Sequence, residues 1–524
     1  MRAGDDIPSR EAAGLPPAPG AAALAGGVRG AEALGPLVRT VLDALAEGAA
    51  RRGGPIPGGP PQELAERVAQ AFADSRGPTA QPGAWGALGE LTAQVAAGSA
   101  DSADPACAAH LHCPPLAVAV AADLAMSALN QSLDSWDQAP AMTALEPLVI
   151  AELAGMAGYA STAAGVLTSG GTESNLMGLM LARDHVLGRA AGCRIERSGL
   201  PSRPRPRIFA SAAAHFSVRR AAALLGLGED AVVTVPVDRT LRMRPDALAG
   251  ALRECAGRGE LPMVVVATAG TTDTGAIDPL PDCVALAAEH GAWSHVDAAY
   301  GGGALLSDRL APLLAGLAGA DSVSLDWHKL GWQPVPAGVF LVRNAETYAS
   351  LARRAAYLNP ADDEDAGYAS LLGRSLRTTR RPDAFKIAVT LAALGRDGLG
   401  RLVDACHDLA RAGAAAVRAH PRLELHADPV LTAFLFRYVP ADAARSDRVN
   451  AGLRRRLLRA GHAVIGRTEL PGELPAVAPP SGPGEEVGRV RLKLTLLNPH
   501  ATVADVERLV RLVAAAGEAE EAAL

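Results

Sequence analysis

Seven short, mostly apolar runs, most of them separated by helix-forming segments, restrict the fold of this chain more than any other feature. They lie at Gly165–Ser169, Arg207–Ser211, Ala231–Val235, Met263–Thr268, Trp293–Val296, Ser322–Leu325 and Val339–Val342, each four to six residues long. Runs of that length without polar alternation are the pattern of strands covered on both faces. Strand–helix–strand units cross over right-handed, so the spacing predicts an α/β domain with a mostly parallel seven-stranded sheet and helices on both faces. This large domain is assigned to 116–390. Beyond Lys386 the order changes. Strand-like segments at 423–426, 432–437 and 489–495 accompany helices at 447–460 and 503–516, which predicts a smaller C-terminal α+β domain over 391–524.

Ahead of the large domain the sequence reads differently. Residues 1–61 are dominated by Ala, Gly and Pro with few large apolar side chains at any period, so a disordered or loosely attached arm is expected. Residues 62–115 read as a segment of short helices broken by Gly and Pro. With 524 residues, 49% of them hydrophobic, and a formal charge of −6, the chain can bury a large core. Its basic residues do not cluster, so no nucleic-acid partner is expected. The six cysteines lie far apart without metal-ligand spacing, so no metal site is expected, and reduced thiols suit a cytoplasmic enzyme. No cationic start leads into an apolar core segment, and no uncharged apolar stretch nears the ~20 residues of a membrane helix, so no membrane partner is expected.

Four features fall at the ends of predicted strands, where ligands of open α/β sheets bind. Thr168 to Asn175 is a Gly-rich turn opening a helix, which is either a plain turn or a cradle of free N–H groups for a phosphate. His215 follows an apolar strand, where it is either structural or able to stack on a flat heteroaromatic ring. Asp297 also follows a strand and precedes two alanines. It is either a helix N-cap or the partner of a protonated pyridine nitrogen, with Ala298 and Ala299 leaving room for a ring. His328-Lys329 stands 32 residues beyond Asp297, room for one helix and one strand. A lysine between apolar elements needs a reason to be there, and a Schiff base supplies one. In this order the four describe a pyridoxal phosphate site.

The chain resembles the group II pyridoxal-phosphate-dependent decarboxylases, which share the fold type I architecture of aspartate aminotransferase. It is most like their diamine-forming branch, the L-2,4-diaminobutyrate decarboxylases and siderophore-pathway lysine decarboxylases. The marks are Leu129 to Gln138, Thr168 to Asn175, His295 to Tyr300, Asp326 to Lys329, Thr378 to Arg381 and Leu492 to Pro499. The resemblance implies that Lys329 forms the internal aldimine with pyridoxal 5'-phosphate and that His328 supports the cofactor beside it. It places Gly171 and Thr172 at the phosphate, His215 on the ring, Asp297 at the pyridine nitrogen, and Thr268 and Ala299 near the ring. Tyr357 matches a mobile-loop tyrosine that reprotonates the substrate carbon. Asp326 stands where several relatives carry Asn, and since a carboxylate would repel the phosphate it is left out of the expected site.

The activity implied is decarboxylation of an L-amino acid to an amine and carbon dioxide. The acidic run Asp362 to Asp365 favours a diamino acid (2,4-diaminobutyrate, ornithine or lysine), whose second ammonium it could attract, and is otherwise a solvated loop. Aromatic amino acids or glutamate are the alternative substrates, and an aminotransferase or desulfurase of the same fold type is a distant alternative. The resemblance also implies a homodimer with shared active sites, the segment 62–115 packing at its interface and a lid, the Asp-, Gly- and Pro-rich stretch Asn359 to Gly373, of one chain closing over its neighbour's cofactor.

Overall fold

The computed structural model describes residues 23–75, 84–353, 355–470 and 488–524, arranged in two compact units. The first unit contains the helices α1 (Gly30–Arg52), α2 (Pro61–Asp74) and α3 (Ala84–Gly98). Residues 30–52 are therefore a helix where the composition suggested a disordered arm, while 1–22 lie outside the described residues. Alanine is the strongest helix former, and Leu34, Leu37, Val38, Val41, Ala44 and Gly48 repeat at helical spacing on the covered side. Gly48 explains why few large side chains are needed. A Cβ there would meet Ala93 O at 2.4 Å and the Ala96 Cβ at 2.5 Å, so α1 and α3 touch through small residues.

The second unit contains 54–58 and 100–524, and carries two sheets. Its strands are β1 (Cys107–Ala108), β2 (Ala164–Thr168), β3 (Pro206–Ser211), β4 (Val232–Val235), β5 (Leu261–Thr268), β6 (Trp293–Ala298), β7 (Ser322–Asp326), β8 (Gly338–Val342), β9 (Leu423–Leu425), β10 (Ala433–Tyr438), β11 (Val464–Glu469) and β12 (Val490–Thr495). The seven predicted runs are β2 to β8, which form one sheet in the order β2-β8-β7-β6-β5-β3-β4. Neighbours from β7 to β4 pair in parallel, and β8 runs antiparallel to both β7 and β2. Alternate residues of β5 enter different cores: Val264 and Val266 pack with Leu179 and Val218, whereas Val265 and Ala267 pack with Leu248 and Val296. Both faces are thus covered, which is why the strands read as unbroken apolar runs.

The smaller sheet has the order β1-β11-β12-β10-β9. Its edge strand β1 comes from upstream of the large sheet and pairs in parallel with β11, Cys107 opposite Val464. The helical segment expected over 62–115 therefore ends at α3, and its last part belongs to the second unit. The boundary expected at 390 is also bridged. Helix Ala384–Ala419 runs through it, turning at Gly395, whose φ of 66° and ψ of 173° interrupt the helical path.

Because β2, β5, β6 and β7 run the same way, Thr168, Thr268, Asp297 and Asp326 come to one edge of the sheet. Register aligns Thr268 with Asp297, and both Thr168 and Asp326 with Gly338. Ligand chemistry in such sheets occurs along this carboxyl edge.

Candidate active site

A cavity of about 350 Å³ opens at that edge, lined by residues that include Gly171, Thr172, His215, Thr268, Asp297, Ala299, His328 and Lys329. Every residue expected at the site except Tyr357 lines it. Tyr357 is 85% exposed and outside the cavity, and no separate physical signal in its sequence neighbourhood singles it out.

The Gly-rich turn follows β2 and opens α6 (Gly171–Ala182). Gly170 has a φ of 148°, and a Cβ on it would stand 3.2 Å from the His328 ring. At Gly171 a Cβ would meet the Ala299 Cβ at 2.9 Å and Asp326 Oδ2 at 3.3 Å. Glycine at both places lets the start of a helix, with its unpaired N–H groups, form the cavity wall.

Lys329 and His328 follow the end of β7. Lys329 Nζ lies 2.9 Å from Asp326 Oδ2, with His328 Nε2 3.5 Å from the same oxygen. Asp326 thus lines the cavity: phosphate repulsion alone does not exclude it, because the chain itself supplies the Lys329 ammonium and the His328 imidazole beside it. Burial holds the His328 imidazole below its ordinary pKa, with Asp326 opposing.

Asp297, at the end of β6, is buried and receives three hydrogen bonds. Asn175 Nδ2 donates at 2.7 Å, the Ala299 N–H at 3.1 Å and Ser324 Oγ at 3.3 Å. Such donors hold a carboxylate in place without a salt bridge. Thr268, at the end of β5, is fixed from behind by Asp278, whose carboxylate accepts from the N–H groups of Thr268 and Met243, each at 2.7 Å. Burial nevertheless raises Asp278 to about 6. Thr268 Oγ1 is buried without a partner among the described residues.

His215 is half-buried, and its Nδ1 lies 2.8 Å from Ser217 Oγ. Burial lowers its pKa, Asp297 opposes, and Lys329 adds to the lowering. The cavity floor is tied to the smaller sheet where the Thr432 N–H donates to Tyr300 Oη at 2.9 Å, and Lys493 Nζ meets Asp273 at 2.9 Å.

The sequence reading assigned no role to Asn175, Ser217, Ser324 or Asp278. A signal existed for Asn175: it stands four residues after Gly171, one helical turn along the same face.

Residues 81–439 match the pyridoxal-dependent decarboxylase conserved domain. The chain belongs to the pyridoxal-dependent decarboxylase family. It is 42% identical over 434 residues to an L-2,4-diaminobutyrate decarboxylase of Rhizobium meliloti, covering 83% of this chain and 82% of the relative. A second protein of that description, from Acinetobacter baumannii, is 38% identical over 421 residues, covering 78% and 79%. Among solved structures, the glutamate decarboxylase domain of a diaminobutyrate-pyruvate transaminase and L-2,4-diaminobutyrate decarboxylase from Vibrio parahaemolyticus superposes with a TM-score of 0.82. It is 32% identical and covers 95% of this chain and 98% of its own.

This decarboxylase is thus a fold type I carboxy-lyase, and its cofactor is pyridoxal 5'-phosphate. The cavity fits that group. Thr268, which lines the space, has a buried Oγ1 without a partner among the described residues, the two glycines leave a cradle that side chains would fill, and Lys329 offers an amine. Gly171 and Thr172 would hold the phosphate, Asp297 the ring nitrogen, and His215 with Ala299 the ring faces. The thiol hydrogen-bonded to the backbone of His328 is unsuited to desulfurase chemistry. Cys113 donates to His328 O at 3.3 Å, and burial pushes it up to about 12, away from the reactive thiolate.

Proposed function

We propose that this decarboxylase converts L-2,4-diaminobutyrate to the corresponding diamine and carbon dioxide. The observation that carries the reading is the shared cavity of Lys329 and Asp297, joined to 42% identity with an enzyme described by that activity. When bound, pyridoxal phosphate supplies the electron sink for the pair released as the carboxylate leaves. Lys329 Nζ would hold the cofactor in the cavity it lines. Asp297, held in place by its hydrogen bonds, would face the ring nitrogen. His215 braces the ring, and His328 with Asp326 orients Lys329.

Tyr357 delivers the proton to the α-carbon in this reading, from the partner chain of a homodimer. Its exposure and its distance from its own cavity support that arrangement, as does the Asp- and Gly-rich segment that follows it. The segment 62–115 packs at the dimer interface in the proposal. Asp362 to Asp365, an exposed acidic turn of helix, faces the distal ammonium of the substrate when the lid closes. The six free thiols suit a reducing cytoplasmic location.

The test is carbon dioxide release from purified protein supplied with pyridoxal phosphate. Diaminobutyrate is expected to exceed ornithine, lysine, glutamate and aromatic amino acids in kcat/KM by at least about tenfold. Preference for glutamate or an aromatic amino acid would refute the substrate, and full turnover by Lys329→Ala would refute the site.

A further inference from the structure

The carboxylate of Asp297 is one branch of a longer chain of hydrogen bonds that runs behind the cavity. Trp293 Nε1 meets Ser322 Oγ at 2.8 Å, and Ser322 Oγ meets His295 Nδ1 at 2.8 Å. His295 Nε2 lies 2.9 Å from Asn175 Oδ1. The Asn175 amide then divides, with Nδ2 reaching Asp297 Oδ2 at 2.7 Å and Ser217 Oγ at 2.9 Å. Ser217 Oγ ends the series at His215 Nδ1.

We propose that Trp293, Ser322, His295, Asn175 and Ser217 form a one-way donor chain that fixes the His215 proton on Nε2 and sets His215 and Asp297 as one unit. Three groups without a choice of role set its direction. The Trp293 indole N–H only donates, so the Ser322 hydroxyl is free to donate onward to His295 Nδ1. The Asp297 carboxylate only accepts, so Asn175 Nδ2 must face it and Asn175 Oδ1 must accept from His295 Nε2–H. The Ser217 backbone N–H only donates, and it too points at His215 Nδ1, at 3.3 Å. The opposite His295 tautomer would set two lone pairs face to face across 2.9 Å, and turning the Asn175 amide would set an oxygen against Asp297. A doubly protonated His295 is disfavoured because burial lowers the ring to about 4. Space for the ring is reserved in α6: a Cβ on Gly178 would come within 2.7 Å of His295 Nδ1.

With two donors at Nδ1, the His215 ring carries its hydrogen on Nε2, the nitrogen with no hydrogen-bond partner among the described residues. These are positioning residues. A single amide, Asn175, holds both the acid for the ring nitrogen and, through Ser217, the imidazole for the ring face. That consequence for catalysis rests on the pyridoxal-phosphate reading; the proton placement does not.

The test uses the full chain with ¹⁵N-labelled histidine, first without cofactor. Long-range proton–nitrogen correlation reads which nitrogen of each ring is protonated, and His215→Gln and His295→Gln identify the two signals. At pH 7 both wild-type rings are expected in a single form with the proton on Nε2. In Ser217→Ala, which removes the hydroxyl donor at 2.8 Å and leaves the longer backbone N–H contact at 3.3 Å, the His215 signals should move part-way towards averaged values while His295 is unchanged; in Asn175→Ala both should move. An averaged or Nδ1-protonated His215 in the wild type, or one that Ser217→Ala leaves untouched, overturns the proposal. With saturating pyridoxal phosphate, kcat of Ser217→Ala should fall about tenfold with KM within about twofold, and an unchanged kcat would overturn the positioning role. A wild-type chain that binds no pyridoxal phosphate yet shows the expected ring protons would sink the proposed function and leave the donor chain standing.

Discussion

Acid should loosen this protein through His295, by an amount the structure allows to be worked out. The ring is fully buried against Asn175, Ser322, the Phe340 ring and the backbone of Gly178, and Asp297 is the charged group that favours its protonation. Burial outweighs Asp297, and the folded-state pKa drops from 6.5 to about 4. Since the folded value lies below the unfolded one, the unfolded chain binds the extra proton. The stability involved is complete above about pH 6.5 and is lost as the pH falls towards 4. A full exchange is worth about 3 kcal/mol, of which about 2 kcal/mol is gone by pH 5. Urea unfolding of the cofactor-free protein at pH 7 and pH 5 measures it, with His295→Gln as the control that cannot titrate. The wild type should lose about 2 kcal/mol more than the variant between these conditions. Parallel losses in the two proteins would refute the reasoning.

Three further outcomes follow from the geometry. Gly171→Ala places a Cβ 2.9 Å from the Ala299 Cβ, so the dissociation constant for pyridoxal phosphate should rise about tenfold or more in an absorbance titration while the far-ultraviolet circular dichroism is unchanged. Arg380→Met leaves Glu146 as a lone buried carboxylate, since their side chains are 1% and 3% exposed and 2.6 Å apart. It should cost about 3–5 kcal/mol in unfolding experiments, with Arg380→Met/Glu146→Leu recovering most of that. Lys329→Ala and Tyr357→Phe should each be inactive alone, yet mixing the two after reversible dissociation should restore roughly a quarter of wild-type turnover if the tyrosine serves the partner's site. No recovery would place Tyr357 in the site of its own chain or outside catalysis.

The large sheet was legible because β2 to β8 are covered on both faces, and double coverage writes itself as apolar runs. Asp297, His215 and Lys329 were legible because each ends or follows such a run, where a polar residue needs a ligand or a cap. Helix α1 was not, because the periodic Leu34, Leu37, Val38 and Val41 are diluted by surrounding Ala, Gly and Pro residues, and its tight approach to α3 is made at Gly48. Asp326 was misjudged by weighing its charge against a phosphate without weighing Lys329 and His328 beside it. Asn175 carries only the signal of its spacing from Gly171, and an asparagine in an α-helix reads as solvent-facing until the strand residues opposite it are known. Tyr357 rests on family resemblance alone, since its role depends on a second copy of the chain.

The edge strand β1 sets a schedule for synthesis on the ribosome. Its partner β11 begins at Val464, so after Ala108 emerges the strand waits for some 356 residues, from 108 to 464, to be translated. At ordinary elongation rates that is roughly 20 to 70 s with an unpaired edge. Thr432, which ties the cavity floor, arrives late in that interval, and Lys493 arrives after it. The nascent catalytic pocket is therefore completed near the end of translation, and a ribosome stalled before codon 430 would hold a chain with every catalytic side chain made and none of them braced from below.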